Sequence, residues 1–233
     1  MVPTYNEAAN LPKLVAAIMA LDIPALEVLF VDDNSPDGTA AVADALSKRY
    51  GARVSVLRRP GKQGLGPAYR AGFAEALARG ADHVVEMDAD LSHAPEYLPA
   101  LLAEMADYDV AIGSRWTKGG GAEGGWGLGR RLLSQGAALY ARMVLGLRVK
   151  DPTTGFKCFR AEALRGLRLE DVRSRGFGFQ VEIAYACQRK GYRVTEVPIL
   201  FRLRDQGRSK MSLRIIVEAL WRVAAIRFSR SHV

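Results

Sequence analysis

Four carboxylates stand in pairs at the ends of two apolar runs. Asp32 and Asp33 close VLFVDD, and Asp88 and Asp90 close VVEMDAD. Two aspartates one residue apart at a strand end can present oxygen ligands to a hard divalent cation, which also holds diphosphate oxygens and neutralises a departing charged group. Aspartate is equally a common turn and helix-capping residue, so an isolated DxD also reads as a surface turn. The two cysteines, Cys158 and Cys187, have neither CxxC spacing nor a neighbouring histidine set. Zinc and a disulfide framework are therefore unsupported, and a reducing compartment is the expectation.

The elements that must position these acids alternate in type. Residues 27–33, 52–58, 82–90 and 109–115 read as strands, and residues 6–21, 37–49, 65–79 and 95–105 between them carry helical periods. In the first helical stretch Leu11, Leu14, Val15 and Ile18 fall on one face, and Asp37 suits the cap of the second. This is the pattern of βαβ units feeding a parallel sheet, where ligands bind beyond the carboxyl ends of the strands. Only residues 1–3 precede the first turn, so the first strand is very short or the chain has lost residues upstream. The glycine-rich stretch 118–129 resists regular structure and reads as a mobile loop beside a site. Beyond it, residues 132–145 and 180–189 are helical, residues 155–160 are strand-like, and residues 194–204 form a strand with a proline kink. No internal repeat is present, and residues 1–233 read as one α/β domain.

The chain has 233 residues, enough for one ordinary core, with 49% hydrophobic and 25% charged residues. These values exclude disorder, collagen and a multi-span membrane protein. A formal charge of +8 favours phosphate-bearing partners: nucleotides, nucleic acid or an anionic membrane surface. The N-terminal residues lack the layout of a secretory signal, and no segment approaches the roughly 18–20 apolar residues of a bilayer span.

PTYNE (3–7), VDDNSPDGT (31–39), GLGPAYRAGF (64–73), MDADLSHAPE (87–96) and GSRW (113–116), in this order, resemble the family 2 inverting glycosyltransferases. DPTTGFKCF (151–159), GFGFQVEIAY (176–185), EVPILF (196–201) and GRSKM (207–211) extend the resemblance to the polyprenol or dolichol phosphate mannosyltransferases. The resemblance implies a GT-A-type nucleotide-sugar transferase fold, a mostly parallel Rossmann-like sheet flanked by helices. It assigns Pro3, Tyr5, Glu7 and Asp33 to the nucleoside, with Asp33 on guanine and Glu7 on ribose or base. Asp88 and Asp90 become the ligands of Mg2+ or Mn2+ and the sugar-diphosphate residues, with the Ala89 backbone against the nucleotide. A further metal contact in the family can fall where this chain has Ser92, with His93 beside it; His93 reads equally as a helix-entry residue. His83 reads as structural.

The implied reaction is displacement at the anomeric carbon of GDP-mannose by the phosphate oxygen of a polyprenyl or dolichyl phosphate, inverting α to β and releasing GDP. A phosphate monoester, with a second pKa of about 6, is already anionic at neutral pH, so no side chain must deprotonate it. The site must instead hold two anionic groups together, which calls for a metal and for cations placed in advance. Arg115, Arg130 or Arg131, Arg204, Arg208 and Lys210 are the supply. Arg115, with Asp90, carries the catalytic assignment. Arg115 and Arg131 are expected at the acceptor phosphate, and Arg204 and Lys210 at the donor phosphates. Gln180 and Glu182 are expected at the substrate, with Asp151, Thr153 and Thr154 in a turn that can contact phosphate or simply stabilise the fold.

A helix at about 211–229 places Ile215, Ala219, Leu220, Val223 and Ile226 on one face, with Trp221 and arginines elsewhere. It reads either as an interfacial helix on a membrane or as an ordinary helix packed on the sheet. The resemblance favours a peripheral enzyme on the cytoplasmic face of a membrane, with a possible separate membrane-anchoring partner. A UDP-sugar transferase acting on the same lipid phosphate, with glucose or N-acetylglucosamine, is the nearest alternative. A nucleic-acid binder rests on charge alone and lacks a basic helix or stacking platform, so no nucleic acid is expected. A nonenzymatic nucleotide-binding subunit is disfavoured by retention of Asp88, Asp90, Arg115 and Lys210.

Overall fold

A computed structural model describes residues 1–123, 126–172, 174, 176, 178–202 and 213–228, with backbone only from 213 to 219. The chain begins with β1 (Val2–Thr4), α1 (Leu11–Met19), β2 (Val28–Asp32), α2 (Thr39–Tyr50), β3 (Val54–Arg58), α3 (Leu65–Ala78) and β4 (His83–Glu86). It continues through α4 (Leu98–Ala103), β5 (Val110–Ser114), β6 (Gly121–Ala122), α5 (Leu128–Leu145), β7 (Lys157–Arg160) and α6 (Ala161–Gly166). Last come α7 (Gly178–Arg189), β8 (Val194–Pro198), β9 (Leu200–Phe201) and α8 (Leu213–Phe228).

Every residue of β2 and of β5 is buried, as expected of strands covered on both faces. β1, β2 and β3 are parallel, with Val2 opposite Phe30 and Phe30 opposite Val56. A second sheet runs β4-β7-β5-β8. The Met1 nitrogen donates to the Val85 carbonyl at 2.6 Å and the Met87 N–H donates to the Met1 carbonyl at 3.3 Å, stitching β1 to β4. Four of the six strand pairings among the described residues are parallel. The two antiparallel ones flank β7, which lies between β4 and β5 where a simple βαβ run would have paired those two directly.

Helices cover both faces. On one side α1 buries Leu11, Leu14, Val15 and Ile18 on Phe30, Leu101 and Phe156. On the other, α3, α5, α7 and α8 enclose Tyr69, Phe73, Phe159, Phe179 and Val223. α3 lies close on the sheet because it carries glycine there: a Cβ on Gly72 would come within 2.9 Å of Val31 Cγ2.

Local structure departs from the sequence expectation in five places. α1 starts at Leu11, not near residue 6, because Asn6 takes φ +62° and turns the chain. The N-cap of α2 is Gly38 in a left-handed conformation, and Asp37, one residue before it, accepts the Thr39 N–H at 3.0 Å. The glycine-rich stretch is not wholly irregular: it contains β6, paired with β9, and α5 begins at Leu128. α6 was not foreseen, and the strand expected over 194–204 breaks at Ile199 into β8 and β9.

Candidate active site

A cavity of about 540 Å³ opens beyond the carboxyl ends of β1, β2, β4 and β5. Its polar end is lined by Pro3, Tyr5, Glu7, Asp33 and Lys62. The turn after β1 is pinned by the loop after β2: Ser35 Oγ accepts the Asn6 N–H at 3.1 Å, Thr39 Oγ1 that of Glu7 at 2.9 Å, and Asp37 Oδ2 that of Ala8 at 3.1 Å. Asp32 serves this scaffold, accepting the Thr4 and Ser35 hydroxyls at 3.1 and 2.6 Å. Asp33 lines the cavity, buried and paired with Arg59. Burial pushes its carboxyl above the ordinary value, partly offset by the Arg59 charge. The Lys62 ammonium sits 4.0 Å from the Tyr5 ring centroid.

At mid-cavity stand Asp88, Ala89 and Asp90. Asp88 is one-third exposed, and Tyr69 donates its hydroxyl to Asp88 Oδ1 at 3.5 Å. Asp90 is buried, and its Oδ1 accepts the Ser92 N–H at 3.1 Å. His93 Nδ1 accepts the Asp88 N–H at 3.2 Å, so that nitrogen is already engaged and the ring acts as a brace. The imidazole stacks on Phe156 at 5.0 Å and meets the edge of Phe201 at 5.3 Å. Burial lowers its pKa to about 3, keeping it neutral. The two aspartates supply oxygen donors to one cavity, and the buried Ser92 hydroxyl beside Asp90 has no hydrogen-bond partner among the described residues. These residues fit a hard divalent cation. Among the described residues no group of three acidic, histidine or cysteine side chains is placed to hold a metal ion by itself.

Arg115 lines the cavity with its guanidinium fixed from behind. Nε and Nη2 donate to the two Asp151 oxygens at 2.7 and 2.8 Å, and Nη2 also donates to Thr153 Oγ1 at 2.8 Å. Although burial opposes ionisation, the Arg115 charge holds the Asp151 carboxyl below its usual value. Thr153 and Thr154 line the cavity as well.

Three other expected residues, Gln180, Glu182 and Arg131, are not part of the cavity lining. Gln180 Oε1 accepts from Lys157, and Glu182 Oε2 accepts the Ser174 N–H at 2.8 Å, because α7 packs these positions inward. Arg131 is exposed away from the cavity, whereas its neighbour Arg130 lines it and stacks on Trp126 with 4.4 Å to the ring centroid. Arg204, Arg208 and Lys210 lie outside the described residues. Sequence reasoning passed over Arg59 and Lys62, although RRPGKQ before a glycine-rich helix start marks a basic loop at the strand ends. It also passed over Lys157, whose ammonium donates to Glu86 Oε1 at 3.1 Å and to the Thr154 carbonyl and Gln180, entirely buried.

Where α5, α8 and the approach to α5 wall the cavity the lining is mostly apolar, with Trp126, Leu133, Ala137, Tyr140, Leu220 and Val223 beside the polar Arg130 and Ser134. α8 therefore does pack on the body, burying Val223 and Ile226, while Trp221 and Phe228 remain exposed.

The family model described as Glycosyl transferase family 2 matches residues 1–168. Undecaprenyl-phosphate mannosyltransferase of Micrococcus luteus is 44% identical over 230 residues, spanning 97% of this chain and 93% of the relative. Polyprenol monophosphomannose synthase of Mycolicibacterium smegmatis is 45% identical, over 96% of this chain and 84% of the relative. Among solved structures, glucosyl-3-phosphoglycerate synthase of Mycobacterium tuberculosis superposes with a TM-score of 0.68 at 20% identity, over 100% of this chain and 79% of that one. The superposition shows a GT-A-type fold, and by family model and sequence identity the chain belongs to glycosyl transferase family 2.

Proposed function

We propose that this chain transfers mannose from GDP-mannose to a polyprenyl phosphate, with inversion, giving polyprenyl phosphate β-mannose and GDP. The observation that carries this reading is the two-ended cavity, with carboxylates and cations at one end and an apolar pocket between α5 and α8 at the other. A nucleotide sugar suits the first end and an isoprenoid chain the second, so the phosphate of the lipid meets the sugar at mid-cavity. The names of the relatives, an undecaprenyl-phosphate mannosyltransferase and a polyprenol monophosphomannose synthase, support the same pairing.

The acceptor phosphate brings its own negative charge, so the residues need only bind and orient. Arg115, its fork fixed by Asp151 and Thr153, presents positive charge that does not reorganise when the ligands arrive. Arg130 lines the cavity and stacks on Trp126, suited to the lipid phosphate. Asp88 and Asp90 would hold Mg2+ or Mn2+, whose charge would neutralise a diphosphate leaving group. His93 is neutral and engaged, consistent with a reaction that needs no general base.

The same proposal has the chain lie peripherally on the cytoplasmic face of a membrane, with a separate anchoring protein as a possible partner. No helix among the described residues is long and apolar enough to cross a bilayer. Leu128, Leu132, Leu139 and Met143 of α5 are exposed within about 60° of arc, and Trp221 and Phe228 of α8 are exposed as well. α5 has three arginines and no acidic residue, matching an anionic surface.

The test offers labelled GDP-mannose, UDP-glucose and UDP-N-acetylglucosamine with a polyprenyl phosphate in detergent, with and without a chelator. Metal-dependent lipid product from GDP-mannose is expected. Product only from a UDP sugar would overturn the donor assignment, and chelator-insensitive transfer would overturn the metal.

A further inference from the structure

One fully buried cation has every donor engaged. Lys157, at the start of β7, donates from its ammonium to Glu86 Oε1 at 3.1 Å, to the Thr154 carbonyl and to Gln180 Oε1. An ammonium carries three N–H groups, and three acceptors take them here, so the group is held in one orientation. For packing alone, an apolar pair in place of Glu86 and Lys157 would be about as stable. What an apolar side chain cannot do is hold the Thr154 carbonyl.

That carbonyl belongs to a turn with two different neighbours. Before it, Thr153 Oγ1 accepts from Arg115 Nη2 at 2.8 Å. After it, Gly155 packs so closely that a Cβ there would lie 3.0 Å from the Tyr69 hydroxyl and 3.4 Å from Asp88 Oδ1. All three turn residues line the cavity. The strands are arranged to match: β4 leads into Asp88, β5 leads into Arg115, and Lys157 stands opposite Glu86 of the one and Ile112 of the other. With β7 between them, β4 and β5 are about 10 Å apart at the usual strand spacing. The turn entering β7 therefore touches both the Asp88 side and the Arg115 side of the site, and its middle carbonyl is tied to Lys157.

We propose that Lys157 is a positioning residue for sugar transfer: by holding the Thr154 carbonyl it fixes residues 153–155 as the spacer between Asp88 and Arg115. The inference rests on the transferase reading above, in which those two side chains act on one reacting centre. Misplacing reacting groups by about 1 Å can cost about 100-fold in rate. A merely structural Lys157 would matter for stability and leave the rate of the folded enzyme alone.

Steady-state transfer from labelled GDP-mannose to a polyprenyl phosphate by the whole chain, magnesium present throughout, separates spacing from stability. Glu86→Leu combined with Lys157→Met removes the pair without leaving a buried charge. In this first double variant kcat should fall about tenfold or more, while the KM for donor and the Kd for GDP by titration calorimetry stay within about threefold of wild type. Glu86→Gln combined with Lys157→Gln keeps an uncharged N–H donor at residue 157 and should recover part of kcat. Gly155→Ala, which presses a methyl against Tyr69 and Asp88, should show the same split and stands in if the double variants do not fold. A folded first double variant, or a folded Gly155→Ala, with wild-type kcat overturns the proposal. So does equal loss of kcat and GDP binding, or a folded second double variant no faster than the first. Absence of lipid product from the wild type overturns the transferase reading, and this role with it.

Discussion

His93 accepts the Asp88 N–H through Nδ1 while two aromatic rings hold the imidazole in place. That makes it a positioning residue for the aspartate turn. Replacing it with leucine leaves a backbone N–H without its acceptor, a loss of about 1–3 kcal/mol, and lets the turn shift. His93→Leu should lower kcat at least tenfold with a smaller change in the KM for donor, while His93→Asn, whose side-chain oxygen can accept the same bond, should recover much of it. Equal activity in both variants would remove the brace from the account. Single residues were legible in the sequence to different degrees. Asp88, Asp90 and Arg115 announced themselves by motif, and the structure brings all three to one cavity. The direction of a side chain was not legible: Gly178 and Val181 of the same motif line the cavity, whereas Gln180 is bonded to Lys157 and Glu182 to the Ser174 N–H. Likewise nothing in the Arg130–Arg131 doublet said which arginine faces the cavity, because that depends on the phase of α5, and α5 starts four residues earlier than its apolar period suggests.

At the scale of elements, the parallel strands were legible because their apolar runs are continuous, and α3 because its period and its glycine punctuation agree. β7 was legible as a strand but not in its place. Its antiparallel insertion between β4 and β5 puts Lys157 opposite Glu86, 71 residues away in sequence, and no local pattern reveals such a pairing. The pair is fully buried, and burial pushes the Glu86 carboxyl upward while the Lys157 charge opposes it. Lys157 also donates to the Thr154 carbonyl, under the turn that holds Thr153 against Arg115. Removing one partner strands a buried charge, so Lys157→Met should destabilise the protein by about 3–5 kcal/mol in urea unfolding. The double variant Glu86→Leu with Lys157→Met should regain most of that stability, because it buries no unpaired charge. If the double variant is no more stable than Lys157→Met, the pair is not what couples β4 to β7.

On the scale of the whole molecule, the two readings offered for the C-terminal helix turn out to be compatible. Val223 and Ile226 pack inward while Trp221 and Phe228 stay outward, and α5 supplies most of the exposed apolar face. The glycine-rich approach to α5 hid this face in the sequence, since its first turn read as loop. The account expects the protein to co-sediment with vesicles containing anionic lipid and to release at high salt, with Leu132→Asp combined with Leu139→Asp weakening binding about tenfold or more. Unchanged binding of that variant would move the contact elsewhere. In the proposed arrangement the exposed face of α5 meets lipid, the apolar part of the cavity takes the isoprenoid and the polar part the nucleotide, and the central claim is that mannose is transferred between them. The most direct test is mass spectrometry of the lipid after incubation with GDP-mannose, polyprenyl phosphate and magnesium. A polyprenyl phosphate heavier by one hexose, formed with one GDP per product and lost in Asp88→Ala, is the predicted result. Release of free mannose without lipid product, or a hexosyl lipid formed only from a UDP sugar, would contradict it.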